Sequence, residues 1–268
     1  MIKLIASDMD GTLLDDKKQL PADFLEVIDR LHDRGIHFAI SSGRTYYAID
    51  HLFPAEYLNK MDFICDNGAC VISQGKTVSV SALDRDTFLE LLDACERIGG
   101  LKVLVCASKG TYHLLDSPAF NSEIAKYYKH HFPVDDLRDV DDVIYKLAIY
   151  DEAGTLAHGK PAIDGIFGDR LNVQASGPVW MDVMASGVSK GSALKALQTA
   201  LGISIEDTMA FGDYFNDVTM LENASWSFCM ENGHEDVKKL CRFTAPSNNE
   251  SGVTKMIRKY ALSEEIKL

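Results

Sequence analysis

The stretch that most constrains the fold lies within the first dozen residues. Ile2-Lys3-Leu4-Ile5-Ala6 is a short apolar run, and Ser7-Asp8-Met9-Asp10-Gly11-Thr12 follows it directly. This reads as a buried strand that delivers two carboxylates to its own carboxyl end, the edge where α/β sheets bind ligands. Asp8 and Asp10 stand two residues apart, so an extended backbone points both to the same side. Like charges held that close need a cation, or a proton on one of them. Gly11 lets the backbone turn sharply or approach a ligand.

The chain then alternates. Phe24, Leu25, Ile28 and Leu31 recur at helical spacing after Pro21, and Gly35 ends that helix. Ile36, Phe38 and Ile40 alternate as a second strand, which ends in Ser41-Ser42-Gly43-Arg44. A helix from Thr45 to Leu52 is expected next. Phe63-Ile64-Cys65 is a third strand, ending in Asp66-Asn67-Gly68-Ala69, and a hairpin around Gln74-Gly75-Lys76 follows. Near Asp84 the rhythm changes. Helices around Phe88–Cys95 and Ile124–Tyr128 mix with strand pairs at 101–107 with 112–115 and 171–174 with 179–184, and with a strand at 143–150. Gly154, Gly159, Pro161, Gly165 and Gly168 leave 152–168 without a clear element. From Ser186 the alternation returns, with a helix at Lys190–Leu201, a strand at Thr208–Phe211 ending in Gly212-Asp213, and further strands and helices to Tyr260. The expected fold class is therefore α/β with a parallel sheet, carrying an inserted α+β module. The body is assigned to 1–83 and 187–268, and the insertion to 84–186.

Composition narrows the partners. Lys+Arg 27 against Asp+Glu 40 leaves −13, which argues against nucleic acid or an anionic membrane surface as partner. No apolar run reaches the about 20 residues that span a bilayer, and Asp8 comes too early for a signal peptide. Six cysteines form no Cys-x-x-Cys pair and sit mostly in apolar runs. They read as reduced core thiols of a cytosolic protein, not as zinc ligands. The neighbours His130 and His131 receive no role, and Trp180 reads as packing.

Four polar clusters follow predicted strands or open a helix: Asp8/Asp10, Ser42, Lys190 and Asp213/Asp217. Each alone has an ordinary explanation as a turn or cap residue. In a parallel sheet all strand carboxyl ends lie on one edge, so the four together point to one convergent site.

Their motifs resemble those of the haloacid dehalogenase (HAD) superfamily. Asp8-Met9-Asp10-Gly11-Thr12-Leu13-Leu14 is similar to its first motif. Ile40-Ser41-Ser42-Gly43-Arg44 resembles the second as found in the Cof-type subfamily, where threonine is commoner at the place of Ser42. Gly187-Val188-Ser189-Lys190-Gly191 is similar to the third, and Phe211-Gly212-Asp213-Tyr214-Phe215-Asn216-Asp217 to the fourth. Asn67-Gly68-Ala69, Met230-Glu231-Asn232 and Gly252-Val253 also match, so the resemblance spans the chain. Tyr214-Phe215 departs from the small or polar residues expected there.

The resemblance implies a Rossmann-like HAD core with a C2-type cap at 84–186, and a Mg²⁺-dependent phosphatase. Asp8 is implied as the nucleophile that becomes an aspartyl phosphate. Asp10 is implied as the acid that protonates the leaving alcohol and then the base that activates water. Ser42 and Lys190 would bind the phosphoryl group, Asn216 would bind it or position Lys190, and Gly43 and Arg44 are further candidates. Arg44 reads equally as a substrate contact or a loop ion pair, and Asn67 as a site residue or a turn residue. Mg²⁺ would be held by Asp8, Asp213 and the backbone carbonyl of Asp10, with Asp217 as a further ligand or as the group that orients a metal-bound water. The implied partner is a small phosphorylated metabolite such as a sugar phosphate or a phosphorylated cofactor precursor. A phosphomutase sharing this core, and a phosphate-dependent sensor with a phosphorylatable aspartate, are the alternatives.

Overall fold

In the computed structural model, which describes residues 1–263, the opening apolar run is a fully buried strand, β1 (Leu4–Asp8). The further strands in chain order are β2 (His37–Ser41), β3 (Asp62–Cys65), β4 (Cys70–Ser73), β5 (Lys76–Val80), β6 (Leu101–Ala107), β7 (Gly110–Leu114), β8 (His131–Val134), β9 (Ile144–Asp151), β10 (Leu171–Ala175), β11 (Trp180–Ala185), β12 (Thr208–Gly212), β13 (Trp226–Met230) and β14 (Phe243–Ala245). They form two sheets, an eight-stranded one in the order β14-β13-β12-β1-β2-β3-β4-β5 and a six-stranded one in the order β10-β11-β9-β6-β7-β8.

The chain divides into two compact units. The first comprises residues 1–43, 52–79 and 189–268 as far as they are described, and holds the eight-stranded sheet. β1 lies at its centre, parallel to both β12 and β2. Period-2 alternation along β1 sends Leu4 and Ala6 to the face that packs against Ala193, Leu194 and Leu197 of the helix Lys190–Leu201. That helix begins at a two-way cap. Ser189 is its N-cap and accepts a hydrogen bond from the backbone N–H of Ser192, whose hydroxyl accepts one from the Ser189 N–H. Gly202, in the left-handed conformation, ends it.

The second unit comprises residues 44–51 and 80–188. Its core is made by the helices Arg85–Ile98 and Gly159–Phe167 against one face of the six-stranded sheet, through Phe88, Leu91, Ile163 and Phe167. The helix Gly159–Phe167 forms in the stretch to which glycine and proline spacing assigns no element. Pro161 lies in its first turn, where a missing N–H costs nothing. Gly159 lies against Met181 and the carboxylate of Asp151, which accepts its N–H at 2.7 Å. β8, which contains His131, is a further element that local periodicity does not predict. Trp180 packs with Phe120 and Tyr150, at ring separations of 6.3 and 5.1 Å, as expected of a packing residue. The segment from Thr45 to Leu52, expected as one helix, is a short α-helical turn (Tyr46–Ile49) followed by a 3-10 turn (Asp50–Leu52), and Arg44–His51 groups with the second unit. There Tyr47 stacks on His130 at 4.8 Å.

All six cysteines carry thiols, and five of them are buried. No helix among the described residues is long and apolar enough to cross a membrane.

One pair in the first unit, a half-buried histidine on a buried aspartate, makes stability depend on pH. The Nδ1 of His37 lies 2.9 Å from Asp62, whose other oxygen accepts from the Ser73 hydroxyl at 2.6 Å. The hydrogen bond to Asp62 outweighs burial and raises the His37 pKa above its ordinary value of 6.5. A histidine raised on folding stabilises fully below its unfolded pKa of about 6.5, and that contribution fades as pH climbs through the higher folded value. Urea unfolding of wild type and His37→Gln is therefore expected to differ most near pH 5.5 to 6 and to converge toward pH 8.5. A gap that widens with rising pH would contradict the pairing.

Candidate active site

Parallel register builds the site. Asp8, the last residue of β1, is paired with Ser41 at the end of β2, and its neighbour Ser7 with Phe211 of β12. The carboxyl ends of three adjacent strands thus bring Asp8, Ser41-Ser42 and Gly212-Asp213 to one edge. Lys190, the first residue of its helix, reaches the same edge and is buried. Its Nζ donates to Asp8 Oδ1 at 2.5 Å and to Asp217 Oδ1 at 2.6 Å. The other oxygen of Asp217 accepts the backbone N–H groups of Asp213 and Tyr214 at 3.0 and 3.2 Å. Thr12 Oγ1 donates to Asp213 Oδ1 at 3.1 Å. Asp8, Asp213 and Asp217 each offer a carboxylate oxygen, and the three oxygens lie within 4.8 Å of one another.

Glycines make this approach sterically possible at two points. Gly11 has φ +85°, and a Cβ there would stand 2.5 Å from Asp213 Oδ2. Gly68 has φ +107°, and a Cβ there would stand 2.2 Å from the backbone carbonyl of Ser189, the residue before Lys190. Asp66 and Asn67 just before it are also left-handed, with φ +51° and +55°. Non-glycine residues in that region cost of order 1 kcal/mol each. The strained turn packs on the site: Asn67 donates its N–H to the Ser42 carbonyl, and its side chain fills the space a Cβ on Gly43 would need.

The electrostatics follow from burial and crowding. Burial pushes the Asp8 carboxyl up to about 8, with Lys190 pulling it down and Asp217 and Asp213 pushing it further up. Burial and then the Asp217 charge raise Asp213 to about 6. Burial works against a charge on Lys190, but Asp217 and Asp8 outweigh it and hold the ammonium above the ordinary lysine value. The Lys190 ammonium therefore faces three carboxylates, and the cluster holds its negative charge only with help. The donor set consists of oxygens alone, with no imidazole or thiolate among the three residues. Such a set fits a hard divalent cation.

The remaining sequence-predicted residues divide. Ser42 is buried at the end of β2, with Gly43 beside it. Asp10 turns its carboxylate toward Lys18, whose Nζ donates to Oδ1 at 2.9 Å, so its side chain lies outside the three-carboxylate cluster. Asn216 is exposed, and Lys190 donates to Asp8 and Asp217. Arg44 opens the segment that groups with the second unit. Tyr214 and Phe215 are exposed and lie edge to face, 5.1 Å apart, with His234 4.5 Å from Phe215. Asn232, marked in the sequence only as part of a matching motif, donates to the Gly11 carbonyl at 2.7 Å and accepts the N–H of Asn248, a residue that sequence reasoning does not single out, whose amide in turn donates to the Leu14 carbonyl at 3.0 Å. These amides hold the loop after β1, and an asparagine such as Asn248 in turn-rich sequence carries no signal of such a task.

The profile of one family, described as haloacid dehalogenase-like hydrolases, matches residues 5–257. The chain is 31% identical over 260 residues to the 5-amino-6-(5-phospho-D-ribitylamino)uracil phosphatase YbjI of Escherichia coli, covering 96% of each chain. It is also 31% identical over 274 residues to a putative phosphatase of Streptococcus pyogenes, covering 98% of this chain and 99% of that one. Among solved structures, SMU.1108c from Streptococcus mutans superposes with TM-score 0.88 at 27% identity, covering 98% of this chain and 100% of that one. The subclass IIB sugar phosphatase BT4131 shares the fold with TM-score 0.80 at 21% identity, covering 97% of this chain and 99% of that one.

Proposed function

We propose, for a chain that belongs to the haloacid dehalogenase-like hydrolases and is a phosphatase of that family, that it hydrolyses small phosphorylated metabolites with Mg²⁺ through an aspartyl phosphate on Asp8. The observation that carries the reading is the buried cluster of Asp8, Asp213 and Asp217 around the ammonium of Lys190. The name of the Escherichia coli relative supports a phosphorylated metabolite as substrate.

Phosphoryl transfer is mostly positioning and charge stabilisation, and the roles follow from where the residues lie. Asp8 attacks phosphorus, and the bond to the leaving alcohol breaks. Asp10 gives that alcohol its proton, which requires its carboxyl to turn from Lys18. It then takes a proton from the water that attacks the aspartyl phosphate and releases inorganic phosphate. Ser42 and the backbone at Gly43 hold phosphoryl oxygens, with Asn216 and Arg44 as outer contacts. Lys190 offsets charge on Asp8 and on the phosphoryl group. Asp213 and Asp8, with the backbone carbonyl of Asp10, would hold a bound cation. Asp217, whose oxygens accept from Lys190 and from the N–H groups of Asp213 and Tyr214, positions that lysine and the backbone of Asp213. A bound Mg²⁺ supplies Lewis-acid stabilisation of the phosphoryl oxygens. The second unit serves as the cap that selects substrates, and the buried thiols suit a reducing cytoplasm.

Phosphate release from a panel of phosphorylated metabolites, with Mg²⁺ and with EDTA, tests the reading. Turnover that falls by about 10²-fold or more on chelation is expected. Equal turnover in EDTA would remove the cation from the reading. Transfer to a second hydroxyl instead of water would replace hydrolysis with mutase chemistry.

A further inference from the structure

Residues 231–242, which connect β13 to β14, fix two parts of the site. Asn232 donates to the Gly11 carbonyl in the loop after β1 at 2.7 Å, and the backbone N–H of His234 donates to the Asp213 carbonyl at 2.9 Å. Gly233 lies between them. A Cβ there would stand 2.7 Å from Cys229 Sγ and 2.9 Å from that same Asp213 carbonyl oxygen. One sulfur is therefore packed against the glycine beside the tie to Asp213, and close packing passes on any shift of that sulfur.

Two cysteines bracket this connection. Cys229 is fully buried on β13, with Gly212 of β12 opposite it on one side and Thr244 of β14 on the other. Gly212 is the residue just before Asp213. Cys241 follows the short helix Glu235–Lys238, donates its N–H to the Lys238 carbonyl at 3.3 Å, and is partly exposed. It packs on the apolar cluster that contains Cys229 and Val237. The chain thus folds back so that the two thiols lie within hydrogen-bonding reach of each other. Their contact holds the Cys229 thiol below its ordinary value and pushes the Cys241 thiol up. A buried cysteine by itself is a small apolar residue. Two sulfurs in contact, one of them reachable from solvent, are a dithiol.

We propose that Cys229 and Cys241 are a modification site, a reversible disulfide whose closure weakens the hold of Asp213 on a cation. The oxidant is a low-molecular-weight disulfide such as oxidised glutathione. Its sulfur–sulfur bond breaks, a bond between Cys229 and Cys241 forms, and the two cysteine protons leave on two molecules of reduced glutathione. Closure brings the sulfurs from contact to about 2.05 Å, which draws Cys229 Sγ from its place against Gly233. Gly233 and His234 shift with it, and the hydrogen bond from the His234 N–H carries the shift to Asp213. The effect on the cation deepens the phosphatase reading and rests on it; the disulfide itself does not.

The test treats the full chain with oxidised glutathione or with dithiothreitol, then reads peptide masses under non-reducing conditions and thermal melts across a Mg²⁺ titration. Oxidised protein is expected to give a Cys229–Cys241 cross-linked peptide, each sulfur having lost its hydrogen. The Mg²⁺ concentration that gives half the thermal stabilisation is expected to rise about 10-fold, the scale of losing a group that orients a metal ligand. Phosphate release at limiting Mg²⁺ should fall with it, and dithiothreitol should restore both. Cys241→Ser, a near-isosteric change at a partly exposed position, is expected to match reduced wild type in turnover and to keep its Mg²⁺ midpoint in oxidised glutathione. The proposal is overturned by a glutathione adduct that never resolves, by no cross-link, or by a cross-link at Cys65–Cys70, which face each other across β3 and β4. A Cys229–Cys241 cross-link with an unchanged Mg²⁺ midpoint overturns the link to Asp213. Reduced wild type that neither gains stability from Mg²⁺ nor releases phosphate defeats the phosphatase reading itself, a result the peptide masses keep distinct.

Discussion

Asp8→Asn is expected to keep the wild-type fold and to lose phosphate release by at least about 10⁴-fold, because the amide cannot form the acyl phosphate. The fold should survive for an electrostatic reason. Burial already pushes the Asp8 carboxyl up to about 8, so a neutral group of the same shape relieves a cost. Lys190 keeps its second partner, Asp217, at 2.6 Å. The variant should therefore melt at or above the wild-type temperature in EDTA, and the two should draw together or cross when Mg²⁺ is added. Phosphate release measured beside a thermal melt separates the two effects. Turnover within about 10-fold of wild type, in protein that melts normally, would remove Asp8 as the nucleophile.

Lys190→Met is expected to cost about 3 to 5 kcal/mol of stability in metal-free buffer, the range seen when one partner of a buried pair is removed. It leaves Asp8 and Asp217 facing each other without the lysine between them. The folded pKa of Asp8, already raised by burial, then rises further without the ammonium beside it, so the folded state binds more protons than the unfolded state. Stability must then rise as pH falls. Urea unfolding of the variant in EDTA should thus show a gap from wild type that is largest near pH 8 and shrinks toward pH 5. Mg²⁺ should stabilise the variant more than the wild type. Turnover should fall by about 10²- to 10³-fold even with saturating Mg²⁺, as a buried charge facing the phosphoryl group is lost. A stability loss below about 1 kcal/mol at pH 8 would mean that Lys190 does not hold the carboxylates together.

Both variants alter residues that are legible in the sequence. Asp8 is identifiable because an apolar run ends in a polar cluster with two carboxylates, and three further polar clusters follow in the order its motif frame expects. Lys190 is marked by its motif frame and helix start. The exposed Asn216 is harder to read: its spacing puts it beside Asp217, but the 3-10 turn at Phe215–Asp217 directs only Asp217 inward. Asp10 shows the same limit: two-residue spacing would set it on the side of Asp8 only in a continuing strand, but β1 ends at Asp8 and the carboxylate of Asp10 meets Lys18 instead.

The alternation of strands and helices in the first unit, the change of rhythm after Asp84 and the four clusters at strand ends are all written in local periodicity and residue chemistry. Which of those groups meet is a matter of tertiary structure. The lysine bridge joins Asp8, 182 residues away from Lys190 in the chain, to Asp217, 27 residues away, and the amides of Asn232 and Asn248 reach back to the loop after β1. The left-handed turn at Asp66-Asn67-Gly68 is tolerated because Ser42, Gly43 and Ser189 pack against it. The second sheet is the clearest case. Asn172, Met184, Lys146, Cys106, Thr111 and His131 come from six strands, and strand register alone sets them side by side. Register depends on which strands pair, a long-range choice that local sequence does not encode.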